Sequence, residues 1–192
     1  LNTFFHESFH AIIALILGNK VKEIDFDAST EGSCTSMSKS KLRTVLCSLA
    51  GYIGCALISI LFILCIETQY VNLVFTVITI FSFITLLLYI RKTYAMVWTI
   101  CFACINLFFI LIPTPLYIQN YLLFIYATII LIENTKACFA ILYLSFFKAK
   151  KSGDCSILAK VTKVPAFVWA IIFNAVNWWV IYRFFVLCFL PK

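Results

Sequence analysis

Long apolar runs separated by short polar connections dominate the chain. A helix that crosses a lipid bilayer needs roughly 20 predominantly apolar residues. The pattern gives six candidates: the segment ending near Gly18, then 45–66, 70–90, 94–112, a span within 117–147, and 165–189. The stretch 117–147 is too long for one upright helix and too short for two. It therefore predicts either a long tilted helix or a span that continues into an interfacial helix.

The first polar connection, residues 19–44, has a different pattern. Ile24, Phe26 and Ala28 alternate with acidic residues, and alternation with a period of two is typical of a half-buried strand. Turn-forming residues follow, and then a second short run. The pattern predicts a strand over 21–28, a turn over 29–32 and a return strand over 33–37. We therefore expect a small β-hairpin at the membrane surface.

Composition places this pattern in a membrane. Hydrophobic residues make up 64% of the chain and charged residues 12%, whereas soluble domains have about 45–50% and about 25%. The expected fold class is an all-α polytopic membrane protein, with about six transmembrane helices and a small β-hairpin in the first cytoplasmic loop. Residues 1–192 are expected to form a single membrane-embedded domain. Because the chain begins with Leu1 rather than Met, we expect it to be an N-terminally truncated fragment.

The positive charge follows the predicted topology. The net charge is +7, and 12 of the 15 basic residues lie in connection 19–44, at Arg91 and Lys92, or in 148–163. With six spans these three connections lie on one side, which the positive-inside rule makes cytoplasmic. The chain has no nucleic-acid-binding motif. The expected partners are the lipid bilayer and transmembrane proteins, and no nucleic acid.

The strongest chemical signal lies in the first apolar segment. His6, Glu7 and His10 form an HExxH pattern that contains both histidines of the chain. Residues four apart lie on one face of a helix, so the two imidazoles can hold one zinc ion, with Glu7 as general base on its water. Ionisable residues within a span are costly and usually functional. The alternative, a water-exposed helix end, leaves too few residues before Gly18 to cross the membrane.

A third zinc ligand must come from elsewhere, because zinc in hydrolases has three protein ligands and no histidine remains. His10 lies roughly 12 Å below the predicted cytoplasmic surface, so the ligand approaches from that side. Asp154 fits because it opens an apolar stretch that could dip into the protein as a helix, although Asp there is also a common N-cap. Glu133 and Cys155 are further candidates, whereas Glu67 lies on the opposite side.

Three elements, in order along the chain, resemble site-2-protease-like intramembrane zinc metallopeptidases. The first is the HExxH segment followed by a short hairpin with Gly32. The second is Ala-Gly-Tyr-Ile-Gly at 50–54, and the third is 153–169, where Gly-Asp opens a Leu-Ala…Thr…Pro…Trp pattern. The last two are similar to a compact bacterial and fungal branch of that clan. Two residues depart from the family pattern: Phe9 stands where the family often has Gly, and Cys155 stands where it usually has Ala.

The resemblance implies that His6, His10 and Asp154 hold zinc and that Glu7 is the general base. It implies a multi-pass zinc metalloendopeptidase that hydrolyses peptide bonds of membrane proteins near the cytoplasmic side of the bilayer. A substrate helix must partly unwind there, and the hairpin could take the unwound strand by edge pairing. Two alternatives stay open: a catalytically inactive relative that binds membrane proteins, and a metal transporter that uses the two histidines as a transit site.

Overall fold

The computed structural model describes residues 1–28, 32–37 and 40–189, which form a helical bundle with one hairpin. In chain order the elements are α1 (Asn2–Ile16), β1 (Lys20–Phe26), β2 (Gly32–Met37), α2 (Lys41–Glu67), α3 (Val71–Leu88), α4 (Thr93–Leu111), α5 (Leu116–Phe147), a 3-10 turn (Ala149–Lys151), α6 (Asp154–Thr162) and α7 (Ala166–Phe189). The expected fold class, an all-α polytopic membrane protein with a small hairpin, is confirmed.

Five of the described helices, α2, α3, α4, α5 and α7, are long and apolar enough to cross a membrane. Helix α1 has 15 residues. At 1.5 Å per residue it is about 22 Å long, less than the roughly 30 Å of a hydrocarbon core. All six predicted segments coincide with helices, and α1 is the shortest of the six.

The stretch with two possible interpretations is a single helix. Helix α5 runs without a break for 32 residues, so the structure selects the long helix over a span with a separate interfacial helix. Asn134 lies in a short polar stretch of this helix, 133–136, and is fully buried. Its Nδ2 donates to Asn177 Oδ1 on α7 (2.9 Å) and to the Tyr52 carbonyl on α2 (3.3 Å). These bonds hold α5 between two neighbours where lipid offers no partner.

The predicted hairpin is present, with shifted bounds. Strands β1 and β2 pair in antiparallel register. Ile24 and Phe26 are buried, as the alternation predicts. Ala28 is exposed and follows the strand, so the predicted strand over 21–28 extends too far. Residues 29–31 of the predicted turn lie outside the described residues.

The hairpin is attached to the connection between α3 and α4. The Ile24 N–H donates to the Tyr89 carbonyl at 3.0 Å, and the Asp25 carboxylate forms an ion pair with Lys92. Alternation places Asp25 on the polar face of β1, yet it is buried. The reason is a charged partner far along the chain, which local periodicity does not reveal.

Aromatic packing fixes one face of α1. Phe4 is almost completely buried, with its ring centroid 5.5 Å from Trp98 on α4 and 6.1 Å from Phe26 on β1. Phe5 packs against Phe62 on α2 with centroids 6.1 Å apart. Aromatic pairs at such distances are favourable beyond the area they bury. This packing sets the rotation of α1 about its axis, and so fixes where its histidines point.

Candidate metal centre

Helix α1 presents both histidines on one face. They are four residues apart, and Nε2 of His6 lies 3.0 Å from Nε2 of His10. Their rings meet edge to face, with centroids 4.6 Å apart. Two ring nitrogens at this distance can share either a proton or a metal ion.

The third group comes from a separate element. Helix α6 begins at Asp154, whose Oδ2 lies 3.4 Å from His6 Nε2 and 3.3 Å from His10 Nε2. Gly153 occupies the N-cap position, so the interpretation of Asp154 as an ordinary N-cap is wrong. Gly153 has φ 51°, a conformation that favours glycine. A Cβ added there meets no described atom within 4 Å, so glycine serves the backbone turn rather than space.

The spacing of these three donor atoms fits a small tetrahedral cation. Ligand atoms 2.0–2.1 Å from zinc at tetrahedral angles are about 3.3–3.4 Å apart, and the three distances here are 3.0, 3.3 and 3.4 Å. Among the described residues, His6, His10 and Asp154 form the one such cluster of His, Cys, Asp or Glu groups. Two imidazoles and a carboxylate leave a fourth position for water or substrate.

A backbone carbonyl orients His10. Its Nδ1 lies 2.6 Å from the carbonyl oxygen of Cys47 on α2. Because a carbonyl can only accept, Nδ1 carries the proton and Nε2 presents its lone pair to the cluster. Hydrogen bonds of this kind fix the tautomer and ring orientation of metal-binding histidines.

Opposing effects act on Asp154. Burial alone would raise the pKa of its carboxyl group, but His10 and His6 outweigh burial and hold the pKa below its usual range. The carboxyl group is therefore an anion beside the two imidazoles. A negative ligand is what a divalent cation in a buried site requires for charge compensation.

Helix α2 passes close to both histidines at Gly51. A Cβ added there would lie 2.6 Å from Nε2 of both His6 and His10, too close for any side chain. The next residue, Tyr52, packs its ring edge to face on His6, with centroids 4.5 Å apart. Gly51 thus makes room for the cluster, and Tyr52 restrains the His6 ring.

Glu7 lies between the cluster and the hairpin. Its side chain is buried, and a Cβ added to Gly32 on β2 would lie 2.7 Å from Glu7 Oε1. Glu7, the two histidines and Asp154 line a cavity of about 500 Å³, a volume in the range of ligand sites. The other walls are Asn2, Thr3, Gly32, Ser33, Cys34, Ser36, Thr44, Cys47, Ser48, Tyr52, Ala137, Gly153 and Ile157.

The HExxH helix, the distant aspartate and this cavity agree with a comparison against known families. The family model described as Peptidase M50B-like matches residues 1–184. The chain belongs to the Peptidase M50B-like family. Comparisons with curated proteins and with solved structures give no match. The site-2-protease-like resemblance is confirmed, and the apolar helices together with the family identify an integral, multi-pass membrane protein.

The M50B-like match extends through segment 153–169, and the structure gives a physical reason for its pattern. The Trp169 indole N–H and the Val164 N–H both donate to Thr162 Oγ1, at 3.3 and 3.2 Å. Leu158 is fully buried against α7 and α5. These contacts tie the end of α6 to the start of α7. They therefore hold Asp154 in place at the other end of α6.

The other candidate ligands lie outside the cluster. Glu133 Oε2 accepts a hydrogen bond from the Asn2 backbone N–H at 2.9 Å. Cys155 is fully buried in an apolar cluster with Cys138 rather than beside the histidines. Glu67 ends α2 at the opposite end of the bundle. Within the described residues, then, Asp154 is the acidic side chain that meets both imidazoles.

Phe9, a departure from the pattern of the M50B-like branch, has a structural partner. A Cβ added to Gly54 would lie within 3.0 Å of the Phe9 ring. The Phe9 ring therefore fills the groove that Gly54 leaves on α2. Small residues let helices approach closely in lipid, so Gly51 and Gly54 allow α2 to pack against the HExxH helix.

Sequence reasoning missed part of the cavity wall. Asn2 and Ser48 line it, and the Cys47 carbonyl orients a histidine beside it. Asn2 had a detectable signal, because it precedes His6 by four residues on the same helical face. The Cys47 carbonyl had no such signal, since every residue carries a carbonyl.

Two buried asparagines of α7 bond to the neighbouring helix α5. Asn174 Nδ2 donates to the Cys138 carbonyl and Asn177 Nδ2 donates to Thr135 Oγ1, each at 2.9 Å.

Proposed function

We propose that this M50B-like protein is an intramembrane zinc metalloendopeptidase that hydrolyses peptide bonds of membrane proteins near the cytoplasmic side of the bilayer. One observation carries the proposal: the His6, His10 and Asp154 donor atoms lie 3.0–3.4 Å apart beside Glu7 in a cavity large enough for a peptide. Peptidases of this clan are generally zinc-dependent, and the donor set suits zinc.

The roles of the side chains follow from their positions. His6, His10 and Asp154 would hold the ion, and zinc when bound supplies Lewis acidity for a scissile carbonyl and a water of lowered pKa. Glu7 accepts a proton from the attacking water and donates it to the leaving nitrogen. Its burial against Gly32 restricts where the carboxylate can move beside the cluster.

Strand β2 is the proposed docking edge for the substrate. Among the described residues it pairs only with β1, and its residues Gly32, Ser33, Cys34 and Ser36 line the cavity. An extended peptide added along β2 would gain main-chain hydrogen bonds and pass beside Glu7. A transmembrane substrate must first unwind, because helical amides are already paired within the helix.

The proposed cytoplasmic location rests on charge. The hairpin, the α3–α4 connection and the segment before Asp154 lie at one end of the bundle, since the hairpin bonds to Tyr89 and Lys92 and Asp154 meets α1. These connections carry most of the basic residues. The positive-inside rule then assigns this end to the cytoplasm.

Metal content tests the ligand set. We expect about one zinc ion per chain in the purified, detergent-solubilised protein, measured by plasma mass spectrometry. His6→Ala and Asp154→Ala should each lose it, because two remaining ligands bind zinc weakly. Glu133→Gln is the matched control and should keep its zinc, since Glu133 bonds to a backbone amide instead.

The outcomes separate the alternatives. Zinc retained by Asp154→Ala but lost in Glu133→Gln would move the third ligand to α5. A parent without zinc would favour an inactive relative. Zinc flux across liposomes, without cleavage of any single-span membrane protein in the same liposomes, would favour a transporter.

Gly32→Ala should separate the base from the metal. The added methyl group would lie 2.7 Å from Glu7 Oε1 and from Thr3 Cγ2, so either β2 or the Glu7 carboxylate must move. We expect peptide hydrolysis to fall by roughly 10–100-fold, because misplacing a catalytic group by about 1 Å costs on that order. Zinc content should stay at the parent value. Parent-like hydrolysis would contradict the placement of β2 over Glu7.

A further inference from the structure

Asn2 borders the cavity with a side chain that has no described partner. It is 7% exposed, and Oδ1 is buried without a hydrogen bond within the described part of the chain. Both hydrogen bonds that the structure records for Asn2 use its main chain: its N–H donates to Glu133, and its carbonyl accepts from the Cys55 thiol. The described residues therefore leave the hydrogen-bonding capacity of this carboxamide unused.

An unpaired buried carboxamide costs free energy and calls for an explanation. Other buried polar atoms without a described partner, such as Ser8 Oγ, Asn106 Oδ1 and Asn134 Oδ1, belong to residues that do not border this cavity. Asn2 alone among these combines burial, lack of a described partner and a place in the cavity wall. This combination points to a ligand rather than to helix packing.

Position on the helix says which part of a ligand Asn2 would meet. Asn2, His6 and His10 succeed one another at four-residue intervals on one face of α1, so Asn2 lies about 6 Å along the axis from His6. An extended peptide advances about 3.3 Å per residue. A peptide that runs along α1 with its scissile bond at the histidines would therefore place a peptide group about two residues away beside Asn2.

We infer that Asn2 is a substrate-binding residue, whose carboxamide binds a main-chain peptide group about two residues from the scissile bond. The chemistry matches, because a carboxamide offers a donor and an acceptor and a peptide group offers one of each. Recognition of the main chain is independent of substrate side chains, as pairing along β2 would be. The inference rests on the proposed function, since it takes the His6, His10 and Asp154 cluster as the reaction centre.

Hydroxamate probes separate the peptide contact from the metal. Acetohydroxamate has a metal-binding group and no peptide. Acetyl-Leu-Leu-hydroxamate carries two peptide groups on the acyl side of the hydroxamate, and a succinyl hydroxamate of a dipeptide amide carries them on the other side. One of the two peptide probes therefore reaches Asn2 whichever way the bound chain runs. Their dissociation constants are measured by calorimetry on the zinc-loaded protein and its variants.

The affinity advantage of a peptide probe is the ratio of the acetohydroxamate dissociation constant to that of the probe. In Asn2→Ala we expect this ratio to fall about tenfold for one of the two peptide probes. Acetohydroxamate affinity and zinc content should stay at the parent values. Asn2→Gln keeps the carboxamide and should retain more of the advantage. Asn106→Ala is the matched control, because it removes another buried carboxamide with an unpartnered Oδ1, and it should leave the advantage unchanged.

An unchanged advantage for both peptide probes in Asn2→Ala would overturn the inference and leave the proposed function standing. An equal loss of acetohydroxamate affinity would also overturn it, because Asn2 would then act on the metal site. Failure of the parent to bind acetohydroxamate would overturn the proposed function, and the inference with it.

Discussion

Replacing Glu7 by Gln is expected to lower peptide hydrolysis by roughly 10³-fold, within the range that general acid–base catalysis contributes, while zinc content stays at the parent value. Gln has the shape of Glu and fits the same place beside Gly32, but its carboxamide does not take a proton from water at neutral pH. Glu7 does not belong to the cluster of donor atoms. The change should therefore remove proton transfer and spare the metal.

The measurement is cleavage of a single-span reporter protein in liposomes, read on gels beside the zinc content of the same preparation. Glu133→Gln is the control, because it makes the same chemical change outside the cavity. Cleavage by Glu7→Gln at the parent rate would refute the role of Glu7 as base. Loss of zinc in Glu7→Gln would instead make Glu7 part of the metal site.

The fold was predictable where one local pattern decides it. Runs of about 20 apolar residues locate helices α2, α3, α4 and α7 closely, because a span must satisfy its backbone within itself. The pattern left two interpretations open for 117–147, because the Asn134 bonds to α2 and α7 that favour one continuous helix join distant segments. The same limit explains Asp25, whose burial depends on Lys92.

The site divides in the same way. The spacing of His6 and His10 predicts a shared face, and the structure brings their Nε2 atoms together. Asp154 was one of several acidic residues when judged by position, and the family resemblance singled it out; in the structure it meets both imidazoles. The Cys47 carbonyl and the clearance at Gly51 depend on how α2 packs on α1, which no spacing within either segment encodes.

Gly51→Ala is expected to lower zinc affinity by roughly 100-fold, at the upper end of what loss of outer support costs a metal site. The new methyl group would lie 2.6 Å from Nε2 of His6 and of His10. Neither ring can turn away freely, because the Cys47 carbonyl holds His10 and Tyr52 packs on His6. Helix α2 must therefore move away from α1. The Cys47 carbonyl moves with it, which displaces the acceptor of the His10 hydrogen bond.

Gly54→Ala supplies the matched control, because it adds the same methyl group one turn along the same helix, where it meets the Phe9 ring instead of the imidazoles. Both variants overfill the α1–α2 interface, and each should lose about 1–3 kcal/mol of stability, measured by thermal unfolding in detergent. Zinc affinity, measured by competition with a chelator, should fall only in Gly51→Ala. If both variants lose zinc equally, separation of the helices is sufficient and the contact at Gly51 has no special role. If neither variant loses zinc, the imidazoles can adjust to the added methyl group. The close approach at Gly51 is then not what positions the metal ligands.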